Sequence, residues 1–132
     1  MRQTTRRTTT SNPREADEQK LLFAWAEYAE VLYPELELLH HIPNEGRRSY
    51  RAGYELKKQG MRAGVPDVCL PVSNGKYHAL YIEMKRSKGG KTSSAQSWWI
   101  ERLNRYGNLA VVCHGFDEAK ETILGYLKQR KG

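Results

Sequence analysis

Asp67, Glu83 and Lys85 are the residues whose types and spacing could do chemistry. Asp67 closes the run Gly64-Val65-Pro66-Asp67, and Glu83 and Lys85 flank Met84 in Ile82-Glu83-Met84-Lys85. Side chains alternate along a strand, so Tyr81, Glu83 and Lys85 would share one face while Ile82 and Met84 point to the other. Two carboxylates can hold a hard divalent cation through oxygen, and Mg2+ keeps several waters, so few protein ligands suffice. A lysine beside such a site can position water or stabilise charge on a phosphoryl group. Phosphodiester hydrolysis is the chemistry this set suits. An E-x-K tripeptide alone is common, and its plain alternative is a surface ion pair opposite a helix-capping Asp; the Pro-Asp at the facing end of a hairpin is what favours a site.

The elements that must position these residues can be read from the pattern. Residues 67–72 and 77–85 read as strands, and Ser73-Asn74-Gly75-Lys76 between them is a turn signal, so the two pair as a hairpin. That pairing sets the start of one strand against the end of the other and brings Asp67 toward Glu83. Upstream, Leu22, Trp25, Ala29 and Leu32 form a helical stripe that ends at Pro34. Residues 36–42 read as a strand, and residues 47–59 as a short basic helix stopped by Gly60. Downstream, Ser93 and Gln96 have capping-box spacing ahead of Trp99, Ile100, Leu103 and Tyr106. A strand over residues 109–113 and a last helix capped by Asp117 and running to about Gln129 follow. The order is that of an α/β domain with a mixed central β-sheet flanked by helices.

More polar residues point at the same centre. Glu15 and Glu18 extend the stripe of the first helix, and an acid facing a core needs a partner. A metal site would supply one; the helix dipole is the alternative for each. Gln96 could reach a metal-bound water or the phosphate while also serving the capping box.

The chain of 132 residues is long enough for one domain, with residues 1–13 a Thr-rich basic arm and residues 14–132 the folded unit. The arm is read as a phosphate contact or equally as a passive tail. Net charge is +7 and pI ≈ 9.5, which favours a polyanionic partner such as nucleic acid. Arg47, Arg48, Arg51, Lys57, Lys58 and Arg62 precede the hairpin, and Arg86, Lys88 and Lys91 follow it, so basic clusters flank the acidic centre as a phosphate track requires. Gly89-Gly90 gives the second cluster freedom to move. Cys69 and Cys113 lack zinc spacing and read as buried free thiols. No apolar run is long enough for a membrane span, so no membrane partner is expected.

Taken in order, these pieces resemble the VRR-NUC domain, the virus-type replication-repair nuclease branch of the PD-(D/E)xK superfamily. Glu15 with Gln19, Trp25, Ile42-Pro43-Asn44-Glu45-Gly46 with Arg47, Leu56-Lys57 with Gly60, Gly64-Val65-Pro66-Asp67, Ile82-Glu83-Met84-Lys85, and Gln96 with Trp99 carry the resemblance. It covers residues 15–127 and looks like the short stand-alone members of phages and bacteria, with cytoplasmic action. The resemblance implies a restriction-endonuclease-like core and metal-dependent DNA cleavage with Mg2+, or Mn2+ in its place. It implies Asp67, Glu83 and the Met84 carbonyl as metal ligands, Lys85 as the catalytic lysine and Gln96 as an accessory residue. The first-helix acid maps best to Glu15, with Glu18 the alternative. Glu45 stands where many relatives have glycine, which bears only on the local turn. Kinship further implies a homodimer acting on branched DNA such as four-way junctions or flaps. The competing readings are a nickase or exonuclease with little structural preference, and a non-catalytic DNA-binding protein.

Overall fold

The computed structural model describes residues 14–43 and 50–131. The basic arm expected over residues 1–13, the loop residues Asn44, Glu45 and Gly46, and Arg47 and Arg48 lie outside the described residues.

Helix α1 spans Glu15–Ala29, with Glu15, Asp17 and Glu18 in its first turn, where carboxylates favour the dipole. Its buried stripe is Glu18, Leu22, Ala26 and Ala29, with Trp25 packed partly against the core. Leu32, predicted on this stripe, is 71% exposed, because the helix ends before it and the chain turns. The strand expected over residues 36–42 is mostly absent. Pro34 instead starts a 3-10 segment, Pro34–Leu38, which fits a residue that suits the first turn of a helix. Leu36 and Leu39, three apart, both turn into the core. Only His40–His41 form strand β1.

Helix α2, Tyr50–Lys58, falls within the basic helix expected. Strands β2, Val68–Leu70, and β3, Leu80–Lys85, pair antiparallel with Val68 opposite Ile82 and Leu70 opposite Leu80. Both strands are shorter than the sequence suggests. Pro71 has no N–H to continue the ladder, and residues 71–79 form the connection. Asn74 organises this connection from within: its Oδ1 accepts from the N–H groups of Lys76 and Tyr77 at 2.9 and 2.8 Å, and its Nδ2 donates to the Tyr126 carbonyl.

Helix α3, Ser94–Arg105, crosses from β3 to β4, Leu109–His114, which runs parallel to β3. Parallel neighbours need such a crossover. Asn104 locks the return: its Oδ1 accepts from Ala110 N and its Nδ2 donates to Ala110 O, both at 3.0 Å. Helix α4, Phe116–Lys131, is the last element. Asp117 sits inside its first turn rather than capping it. The cap comes from α1, where buried Glu18 accepts the Phe116 N–H at 2.8 Å.

The sheet order is β1-β2-β3-β4, mixed in direction. One face packs against α1 and α4. Val68, Leu70, Leu80, Ile82, Met84 and Cys113 meet Leu22, Ala26, Ile123 and Leu127 there. Burying each of the large aliphatic chains contributes roughly 1.5–3 kcal/mol. The alternate residues of β3, Tyr81, Glu83 and Lys85, face the other way, toward α3, so one strand serves both the core and the polar centre. Cys69 and Cys113 are buried and free, with thiols pushed up in pKa mainly by burial.

Candidate active site

Asp67 stands one residue before β2 and is held through its backbone. Its carbonyl accepts from Ile42 N at 2.7 Å and lies 2.8 Å from His41 Nδ1, so β1, though only two residues long, fixes its position. The side chain then turns to β3, where Oδ2 accepts the Met84 N–H at 2.8 Å. Met84 therefore places its side chain in the core and its N–H on Asp67.

Glu83 and Lys85 are 2% and 5% exposed, so both charges are withdrawn from bulk water. Lys85 Nζ lies 3.6 Å from Glu83 Oε2. Gln96, in the first turn of α3, joins them. Its Nε2 donates to Glu83 Oε2 at 2.8 Å, and its Oε1 accepts from Lys85 Nζ at 3.0 Å and from Ser93 N at 2.9 Å. Lysine and the backbone N–H are donors only, which fixes which way the carboxamide points. Ser93 Oγ accepts from Gln96 N at 3.1 Å, so the capping box and the bond to the polar centre coexist.

Burial pushes the Glu83 carboxyl up to about 8, and the nearby Asp67 carboxylate pushes in the same direction, against the partial relief of Lys85. A smaller contribution comes from Glu15, which is exposed in the first turn of α1. Glu18 is committed to Phe116 instead. Of the two acids on the first helix, Glu15 is the one whose charge reaches the centre.

Glu83 Oε1 is buried with no donor group in reach, and the side chain hydrogen-bonded to Glu83 across the hairpin is the Asp67 carboxyl, which requires that the pair hold a proton. A buried carboxylate oxygen left so is costly, and a cation would satisfy it. Among the described residues no three His, Cys, Asp or Glu side chains gather to hold a metal. The donor set is two carboxylates, which fits a hydrated Mg2+ and not a closed zinc site.

Two glycines let the parts close on one another. Gly64, at φ +92°, lies on the first turn of α3, and a Cβ there would stand 2.7 Å from the Ala95 backbone. Trp99 Nε1 donates to the Ala63 carbonyl at 3.1 Å beside it. The loop leading to Asp67 is thereby fastened to the helix carrying Gln96. Gly90, at φ +82°, brings the loop after β3 over Lys85, whose Cδ would lie 3.5 Å from an added Cβ.

Of the basic residues, Arg51, Lys57, Lys58 and Arg62 lie ahead of β2, and Arg86, Lys88 and Lys91 are exposed after β3. Lys58 is engaged locally, 4.0 Å from Glu55 and over the Tyr54 ring. Sequence reasoning missed the backbone clamp from His41 and Ile42 and the Glu18 cap. The imidazole is not distinguished by pattern, and the cap joins residues 98 apart in the chain.

Comparison with known proteins identifies the family and the fold. The family described as the VRR-NUC domain matches residues 5–117. A solved structure described as a VRR_NUC domain protein is 29% identical, with a TM-score of 0.77, over 88% of this chain and 89% of the other. No match was found among curated proteins.

Proposed function

Because the chain belongs to the VRR-NUC domain family and is a nuclease of the PD-(D/E)xK type, we propose that it is a Mg2+-dependent DNA endonuclease, selective for branched substrates such as four-way junctions or flaps. One observation carries the metal dependence: Glu83 and Asp67 face one another with no donor group for the buried Glu83 Oε1, where a cation can take the place of a shared proton, and Lys85 and Gln96 converge on the same carboxyl. Asp67, Glu83 and the Met84 carbonyl would hold the ion, with Mn2+ able to replace Mg2+. A bound divalent ion polarises the phosphoryl group and offsets its charge.

The remaining work falls to the chain's own residues. Lys85 places a cation against negative charge that grows on the phosphoryl oxygens, in a site withdrawn from water where that charge counts for more. Gln96 keeps Lys85 and Glu83 in fixed relation and leaves the Lys85 ammonium with further donors for substrate. Glu15, at the rim, adds negative charge that favours cation capture. The arginines and lysines on both sides of the centre would follow the phosphate backbone. Resolving a four-way junction takes two cuts related by approximate two-fold symmetry, which favours a C2 homodimer. The test is cleavage of linear, nicked, flap and four-way DNA with Mg2+ and with EDTA. Cutting of the branched substrates in Mg2+ alone is expected. Equal cutting of all four removes the structural preference, and cutting in EDTA removes the metal.

A further inference from the structure

The outer side of α3 carries aromatic surface that neither the core nor the active centre uses. Trp98 is 49% exposed and Tyr106 72% exposed. With Arg102 they recur at spacings of four residues, Tyr106 as the C-cap of the helix, over about 12 Å along its axis. The Arg102 guanidinium lies 4.6 Å from the Trp98 ring centroid, and Trp99 meets Trp98 edge-on at 5.6 Å. With Leu103 these side chains line a shallow cleft of about 360 Å³. The sole acid of the helix, Glu101, is already engaged by Arg102 at 3.0 Å and Arg105 at 2.9 Å. What this face offers a partner is π surface and positive charge. Gln96 lies on the same helix two residues before Trp98, so the two side chains stand about 200° apart round the axis, and the aromatic face and the active centre occupy opposite sides of one element.

We propose that Trp98, Arg102 and Tyr106 form a stacking platform for unpaired nucleobases of the substrate, on the side of α3 turned away from Gln96. The proposal rests on the nuclease reading and deepens it by naming a single-stranded extension of the substrate, held on the far side of α3, as the feature recognised. Stacking on aromatic rings and arginine is tolerant of base identity, because every base has a π face, and it requires bases released from pairing. A fully paired duplex presents phosphates to this face and gains less. Substrates with a flap or an open branch point supply free bases.

The test compares binding of a blunt duplex with binding of the same duplex extended by a single-stranded thymine tail, in EDTA, by fluorescence anisotropy. The wild type should prefer the tailed DNA. Trp98→Ala and Tyr106→Ala should each lower that preference by roughly tenfold, the scale of one missing base stack, and Trp98→Phe should recover most of it. If Trp98→Ala melts early, Tyr106→Ala decides alone, because that ring is mostly in solvent. An equal loss on both DNAs, or an unchanged preference, overturns the platform. So does a shift of the variants from dimer to monomer with the tail preference intact, which makes the face a contact between copies of the chain. Cleavage by the wild type in Mg2+ is measured on the same DNAs. Absence of any cleavage removes the nuclease reading and this proposal with it, whereas cleavage with an unchanged tail preference in both variants removes the platform only.

Discussion

Gln96 donates a hydrogen bond from Nε2 to Glu83 Oε2 at 2.8 Å, and it does so from the N3 position of a helix cap. Its other carboxamide atom accepts from both Lys85 and Ser93. One side chain thus closes the helix and aligns the acid and the lysine. The two duties can be separated by mutation. Ser93→Ala removes a cap and should cost about 1 kcal/mol of stability with a small loss of turnover. Gln96→Ala should reduce turnover much more than stability, since Lys85 and Glu83 lose their common partner. Thermal melting beside single-turnover cleavage separates the effects; equal turnover in the two variants would reduce Gln96 to a cap.

Asp67→Asn and Glu83→Gln should each abolish cleavage while the fold persists. Both keep shape, and the amide oxygen introduced by Asp67→Asn can still accept the Met84 N–H. Full turnover by either variant in Mg2+ would remove the ligand assignment. Glu83 also carries a signature in stability against pH. Its folded carboxyl is raised to about 8 from an ordinary 4.5, so between those values the folded state holds a proton that the unfolded state releases. This contribution to stability is full below about pH 4.5 and is lost as pH rises through about 8. In EDTA the melting temperature should fall across that window, and Glu83→Gln should flatten the fall. Adding Mg2+ at high pH should restore the wild type by mass action, a sign of binding that needs no turnover.

Gly64→Ala should harm both stability and cleavage. A left-handed backbone there disfavours any Cβ by roughly 1–3 kcal/mol, and the added carbon meets the Ala95 backbone. Relief requires the loop to lift from α3, which moves Asp67 relative to Gln96. A variant that melts and cuts like the wild type would mean the two elements are not fastened there.

Much of the active centre was legible because it rests on local rules. Alternation along β3 put Glu83 and Lys85 on one face, and the hairpin register brought Asp67 across. The Ser93–Gln96 spacing foretold the cap, whereas Gln96, expected to reach a metal-bound water or the phosphate, bonds Glu83 and Lys85. What failed was governed by tertiary context. Apolar residues over 36–42 look like a strand, yet Pro34 and the three-residue spacing of Leu36 and Leu39 wind most of them into a 3-10 segment. Tyr106 fits the stripe of α3 by period and is nevertheless mostly exposed, because the helix has ended at Arg105 and the chain turns there toward β4. The choice between Glu15 and Glu18 could not be read from spacing: it turns on Phe116, whose N–H claims Glu18 from the far end of the chain.

The loop after β3 gives a test of the DNA path. Arg86, Lys88 and Lys91 are all exposed and follow closely on Lys85. Neutralising them together should weaken binding to all sequences alike. The slope of log K against log salt should fall by about 0.9 for each phosphate that the protein no longer neutralises. An unchanged slope would place the DNA elsewhere.

Assembly is tested by light scattering at micromolar protein, where a homodimer is expected. A monomer there, and again on four-way DNA, would remove the two-site account of paired cuts and favour a nickase.

The hydrogen bond from Phe116 to Glu18 also bears on when the enzyme comes into being. It spans 98 positions in sequence, and the first helix packs against the last. During synthesis α1 emerges with Glu18 and Leu22 unmatched, and the inner face of β3 waits for Ile123 and Leu127. Contacts of such long range form late, after most of the chain has been ordered. Met84 lies in that core and carries the N–H that holds Asp67. The cutting centre is therefore set only once α4 has left the ribosome, and a product truncated before α4 would lack a nuclease rather than release an unregulated one.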